Sequence, residues 1–117
     1  MADSLADLQR SLDIFVEERD WAQFHTPKNL AMSVAIEAAE IMEHFQWCSG
    51  EASLSLTEEK RAEVALEIAD VLLYLMGLGR SLDIDIIKAA RDKLVINGEK
   101  YPIEKTKGRA TKYTDLD

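Results

Sequence analysis

The 117-residue sequence predicts an all-α fold, a bundle of four to five helices that assembles into an oligomer. Three observations carry that expectation. Apolar residues recur at three- and four-residue spacing in four stretches, each stretch opens on a Ser, Thr or Asp placed to cap a helix, and no run has the alternation and turn residues of a strand.

The first helix starts at Ser4, where Ser-x-x-Asp with Asp7 resembles a capping box, and Leu5, Leu8, Leu12, Phe15 and Val16 follow on one face. It is expected to reach Phe24 or His25, because Thr26-Pro27 supplies the next start signal, Thr as cap and Pro at the first helical position. A second helix runs from Pro27 to Trp47 or Cys48 and stops before Ser49-Gly50. After a loop rich in Ser, Glu and Gly, Thr57 with Glu58 and Glu59 opens the third, which extends to Gly77 or Gly79. The fourth is capped by Asp83 and closed by Asn97-Gly98 before Tyr101-Pro102. The whole chain reads as one domain, residues 1–117, with a basic C-terminal tail from about residue 105.

Net charge is −8, which argues against a nucleic-acid partner because a phosphate backbone is repelled by the average surface. Lys105, Lys107, Arg109 and Lys112 make the tail the one cationic region, read either as a solvated disordered end or as a local basic spot. A single Cys48 forms no intrachain disulfide and suits a reducing compartment. With no leader peptide visible and no apolar run long enough to span a bilayer, the expectation is a cytoplasmic protein with no membrane partner.

The acids hold the chemistry. At about 100° per residue, Glu37, Glu40, His44 and Trp47 fall within a sector of about 80° on the second helix. Apolar residues occupy most of the rest of that helix. On the third, Glu63, Glu67, Asp70 and Tyr74 line one stripe beside Val64, Val71 and Leu75. Ionised carboxylates among apolar neighbours are costly unless a cation compensates them. If the two helices pack side by side, Glu37/Glu40 and Glu67/Asp70 converge, and a divalent metal between them relieves their repulsion. All-oxygen ligation favours Mg²⁺ first and Mn²⁺ next. The plain alternative is an exposed acidic stripe paired with Lys or Arg, since acids three apart are common on helix surfaces. A di-iron bundle needs Glu-x-x-His on two helices, and the chain has none.

"ERDWAQFHTPKNL", "EAAE", "EIADVLLYL", "KLVINGEKYP" and the closing "KYTDL", spread from about Leu8 to Leu116, resemble the MazG-like all-α nucleoside triphosphate pyrophosphohydrolases, specifically their dCTP pyrophosphatase branch. The resemblance implies hydrolysis between the α and β phosphorus atoms to a monophosphate and pyrophosphate, with Mg²⁺ held by Glu37, Glu40, Glu67 and Asp70. Such a metal offsets the charge of a triphosphate brought to a carboxylate cage. Water is the expected nucleophile, with Glu40 or Glu37 as base and Glu43 and Glu63 nearby. The resemblance also implies that Trp21 and Trp47 flank a nucleobase with Phe24 or His25, that Tyr74 lies against the sugar, and that Asn97 meets the base edge. Lys93, Arg109, Lys112 and Tyr113 are candidates for holding phosphate. At Leu12 the chain departs from the animal dCTP enzymes, which have a His there, so cytosine over uracil or a modified pyrimidine is a lean.

Helices apolar on two sides in so short a chain predict at least a dimer, and the resemblance suggests a homotetramer with the active site completed across an interface. The competing readings are an all-α dUTPase, a phosphoribosyl-ATP pyrophosphohydrolase, and a non-catalytic helical interaction module.

Overall fold

The computed structural model describes residues 4–117. Helix α1 spans Leu5–Glu18, α2 Pro27–Phe45, α3 Glu58–Ser81, α4 Ile86–Lys100 and α5 Ile103–Thr106, with 3-10 turns at Ala22–Phe24, Ala52–Leu54 and Tyr113–Asp115. Among the described residues there is no strand, so the all-α expectation holds. The chain divides into two units, one ending at Asp83 and one starting at Ile84. No helix of the described residues is long and apolar enough to cross a membrane.

The expected caps form at three starts. Ser4 Oγ accepts from the Asp7 N–H and donates its own hydrogen to Asp7 Oδ2. Thr26 Oγ1 accepts from the Asn29 N–H at 3.2 Å, and Thr57 Oγ1 from the Lys60 N–H at 3.1 Å. Five boundaries differ from the sequence expectation. Helix α1 stops at Glu18 rather than at Phe24 or His25, because Asp20 takes a left-handed backbone at φ 53° and turns the chain into a separate 3-10 segment. Asn29 Nδ2 then donates to the Phe24 carbonyl at 3.0 Å and ties that segment to the start of α2.

Helix α2 ends at Phe45, before Trp47. Gly77 and Gly79 do not end α3; both stay helical, and Gly79 is buried. The helix ends instead at Ser81, with Asp83 at φ 54° beyond it. Asp85, not Asp83, caps α4, accepting from the Lys88 N–H at 3.0 Å. Asn97 and Gly98 lie inside α4, which closes at Lys100 because Pro102 disfavours a helical Tyr101.

In the first unit, α2 packs along α3, and α1 rests on α3. Leu30, Val64 and Met76 are its buried apolar side chains, while Met32, Ile36, Met42, Leu66, Ile68 and Leu72 stay exposed on α2 and α3. In the second unit the chain turns back after α5. Tyr113 packs edge-on against Tyr101 at 5.9 Å, and Lys100 Nζ sits 4.7 Å from the Tyr113 ring centre.

Candidate active site

Packing α2 against α3 brings the four acids together. One carboxylate oxygen each from Glu37, Glu67 and Asp70 lies within 4.8 Å of the others. Glu40 stands beside them, close enough to push both the Glu37 and the Glu67 carboxyl up. Helix periodicity accounts for the placement: Glu37/Glu40 and Glu67/Asp70 are each three residues apart, so each pair covers one turn of its helix.

The electrostatics are those of a cage without a cation. Burial, then the hydrogen bond and charge of Glu40, then the charges of Asp70 and Glu67 push the Glu37 carboxyl up from 4.5 to about 7. Glu67 is raised by its hydrogen bond to Glu40 and by burial, with His44 pulling the other way. His44 Nε2 lies 3.8 Å from Glu67 Oε1. Among the described residues no Lys or Arg forms an ion pair with any of the four. Glu37 Oε2 is buried and has no hydrogen-bond partner among the described residues. A buried carboxylate oxygen without a donor is a group that a cation would satisfy, and hard oxygen ligands fit a hard divalent ion.

Asp70 of the cage also lines a cleft of about 680 Å³ between α1 and α3. Asp70, Leu73, Tyr74, Gly77, Arg80 and Ser81 form one stripe of α3 at helical spacing and make its floor. Leu12, Asp13, Val16 and Glu17 of α1 form the opposite wall, and Trp21, His25 and Leu30 close one side. Trp21 is held there by Phe15, edge-on at 5.6 Å and 75°, and by His25 at 6.4 Å. The cleft thus has an aromatic wall, apolar flanks and, at one end, Asp70 shared with the acidic cage, the lining of a small-molecule site.

Of the sequence-predicted binding residues, Trp21, His25 and Tyr74 line the cleft. Phe24 points out, 60% exposed. Trp47 is 90% exposed beyond the far end of α2, and that 19-residue helix puts about 28 Å between the regions of Trp21 and Trp47. Lys93 and Asn97 lie one turn apart on α4 of the second unit. Arg109 there donates to the Lys105 carbonyl at 3.3 Å, and Lys112 precedes the 3-10 turn that holds Tyr113. Sequence reasoning missed Asp13, Gly77 and Arg80. The run Asp70, Tyr74, Gly77, Arg80 at steps of three and four was the available signal.

Comparison with known proteins decides the family. The MazG-like family model matches residues 32–116.

The chain belongs to the MazG-like family. Among the relatives of this MazG-like chain, dCTP pyrophosphatase 1 of Rattus norvegicus is 37% identical over 115 residues, 97% of this chain and 68% of that one. The Homo sapiens dCTP pyrophosphatase 1 is 36% identical over the same shares. A crystal structure of a pyrophosphatase from Archaeoglobus fulgidus superposes with a TM-score of 0.80 and 42% identity, covering 84% of this chain and 92% of that one.

Proposed function

We propose that this MazG-like protein hydrolyses dCTP, or a modified dCTP, to dCMP and pyrophosphate with Mg²⁺ as its metal, Mn²⁺ serving as a substitute. The broader activity, nucleoside triphosphate pyrophosphohydrolysis, follows from the kinship with the dCTP pyrophosphatases and the archaeal pyrophosphatase. The observation that carries the finer reading is the carboxylate cage with its buried Glu37 Oε2, joined through Asp70 to a cleft with an aromatic wall.

Glu37, Glu40, Glu67 and Asp70 would hold the metal. Bound there, it supplies charge neutralisation and polarisation of the phosphate under attack. The chain's own residues do the rest. Trp21 and His25 present aromatic faces to the base, and Tyr74, one turn after Asp70, meets the sugar. Glu37 or Glu40 accepts the proton of the attacking water as general base. Keeping the base stacked and the phosphates at the cage fixes the α-phosphorus relative to that carboxylate.

The second aromatic face requires a neighbour. Because about 28 Å of α2 separates Trp21 from Trp47, a base cannot lie between both within one chain. The exposed apolar faces of α2 and α3 fit a homodimer or homotetramer in which Trp47 and the residues Lys93, Asn97, Arg109, Lys112 and Tyr113 complete a site at an interface. A cytoplasmic setting suits the exposed free Cys48.

The test is incubation with dCTP and Mg²⁺ in ¹⁸O-labelled water. The expected products are labelled dCMP and pyrophosphate. Appearance of dCDP with orthophosphate would contradict the reading, and a protein that binds no nucleotide in the presence of Mg²⁺ would favour the interaction module.

A further inference from the structure

The end of the cleft remote from the acidic cage holds a cross-helix pair that the reaction itself does not use. Arg80 Nη1 of α3 lies 3.3 Å from Asp13 Oδ2 of α1. On its other oxygen, Asp13 accepts from Gln9 Nε2 at 2.9 Å. Two donors on two oxygens fix the plane of that carboxylate, and both Asp13 and Arg80 line the cleft. Two other acids line the same wall but differ from it. Glu17 and Asp20 are exposed, and the Asp20 carboxylate accepts from Gln23 at 3.1 Å, whereas the Asp13 side chain is 31% exposed and directed across to α3.

Distance along α3 places the pair at the base end. Ten residues separate Asp70 from Arg80, about 15 Å at 1.5 Å per residue, with Tyr74 and Gly77 on the same stripe between them. A nucleotide whose phosphates sit at the cage and whose sugar lies by Tyr74 therefore carries its base towards Asp13. Gly77 has no side chain to fill that space. Leu12, next to Asp13 in the wall, offers no hydrogen bond, whereas the Asp13–Arg80 pair beside it supplies a held acceptor and a donor for the polar edge of a base.

We propose, resting on the nucleotide reading above, that Asp13 is the specificity-determining residue for the base: its carboxylate accepts from the 4-amino group of cytosine, and Arg80 is the positioning residue that holds it there. The chemistry sets the sign. Cytosine presents an N4 amino donor where uracil and thymine present the O4 acceptor, and Asp is a suitable acceptor for that amino group. A uracil O4 against the same carboxylate opposes two acceptors and leaves both unpaired. An ion pair this exposed contributes little to folding, so its loss registers in recognition rather than in melting.

The experiment compares wild-type, Asp13→Asn and Arg80→Gln proteins in two assays: calorimetric binding of dCMP and dUMP, and kcat/KM for dCTP and dUTP with Mg²⁺. Wild type is expected to prefer the cytosine nucleotide. In Asp13→Asn the cytosine-to-uracil ratio should fall about 5- to 150-fold, with the loss for dCTP in KM and a gain for the uracil nucleotide. Arg80→Gln should shift the ratio the same way by less. An equal loss for both bases in both variants means an ordinary structural pair and overturns the proposal, as does a ratio unchanged in Asp13→Asn. If wild type binds dCMP over dUMP, and Asp13→Asn abolishes that preference, yet neither triphosphate is hydrolysed, base reading by Asp13 stands while the catalytic reading fails. Binding of neither nucleotide overturns both.

Discussion

Glu37 and Asp13 each present a carboxylate to α3, Glu37 in the acidic cluster with Asp70 and Asp13 in the cleft that Asp70 also lines, and their surroundings differ in kind. Asp13 has its cation within the chain, with Arg80 3.3 Å away and Gln9 on its other oxygen. Glu37 has an oxygen buried without a partner and three further acids for neighbours. The protein could have neutralised the cage as it did the other end, by one arginine a turn along α3. That no Lys or Arg pairs with the quartet among the described residues marks the cage as a place where charge balance comes from outside the chain. Acid content alone does not make a metal site; acids left uncompensated in a partly buried place do.

The sharpest way to break the contrast is Glu37→Gln. A lost metal ligand should lower kcat by more than the roughly 10- to 100-fold typical of residues that only support a ligand, measured as pyrophosphate release at saturating Mg²⁺. In the metal-free state the same change should raise the melting temperature, because a neutral amide replaces one of four crowded acids. A fall in metal-free stability with activity retained would place the four acids in an ordinary surface network. Next in size, Mg²⁺ at about 100 times its dissociation constant should stabilise wild type by about 2.7 kcal/mol, a rise on the order of 10 °C, and Glu37→Gln by far less.

The pH dependence follows in order of effect. Glu37 has its folded pKa raised from 4.5 to about 7, so between those values the folded chain holds a proton that the unfolded chain has released. Its contribution to stability is therefore full below 4.5, declines as pH rises, and is gone above about 7. Glu67 is shifted in the same direction and adds to the decline. Thermal melts of the metal-free protein across that range should show the slope. Saturating Mg²⁺ should flatten it, because the ion displaces the shared protons. The smallest effect separates the floor of the cleft from its ends. A Cβ added at Gly77 meets Leu30 Cδ2 at 3.5 Å, an ordinary contact, so Gly77→Ala should stabilise α3 by up to about 1 kcal/mol in a denaturant melt.

The sequence made the helices and the cage readable because both depend on local order: a cap fixes a start, and a three-residue step fixes a shared face. Most of the missed boundaries escaped it for reasons that are not local. Asp20 and Asp83 adopt left-handed backbones that many sequences with Asp never use, and Gly77 and Gly98 continue helices although glycine often ends them. The α1 wall of the cleft was out of reach as well. Nothing in the spacing of Asp13 says that it meets Arg80, since their contact arises only when α1 settles on α3. The aromatic pair was half legible: Trp21 lines the cleft, whereas Trp47 lies a helix length away and the chain by itself does not bring them together.

The central claim, that Glu37, Glu40, Glu67 and Asp70 hold the ion that lets a triphosphate approach, is tested most directly by diffraction from crystals grown with Mn²⁺ and a non-hydrolysable dCTP analogue. The account predicts an anomalous peak bounded by carboxylate oxygens of those four residues and by phosphate oxygens of the analogue. Nucleotide bound in the cleft with no peak there, and the four carboxylates still hydrogen-bonded to one another, would contradict it.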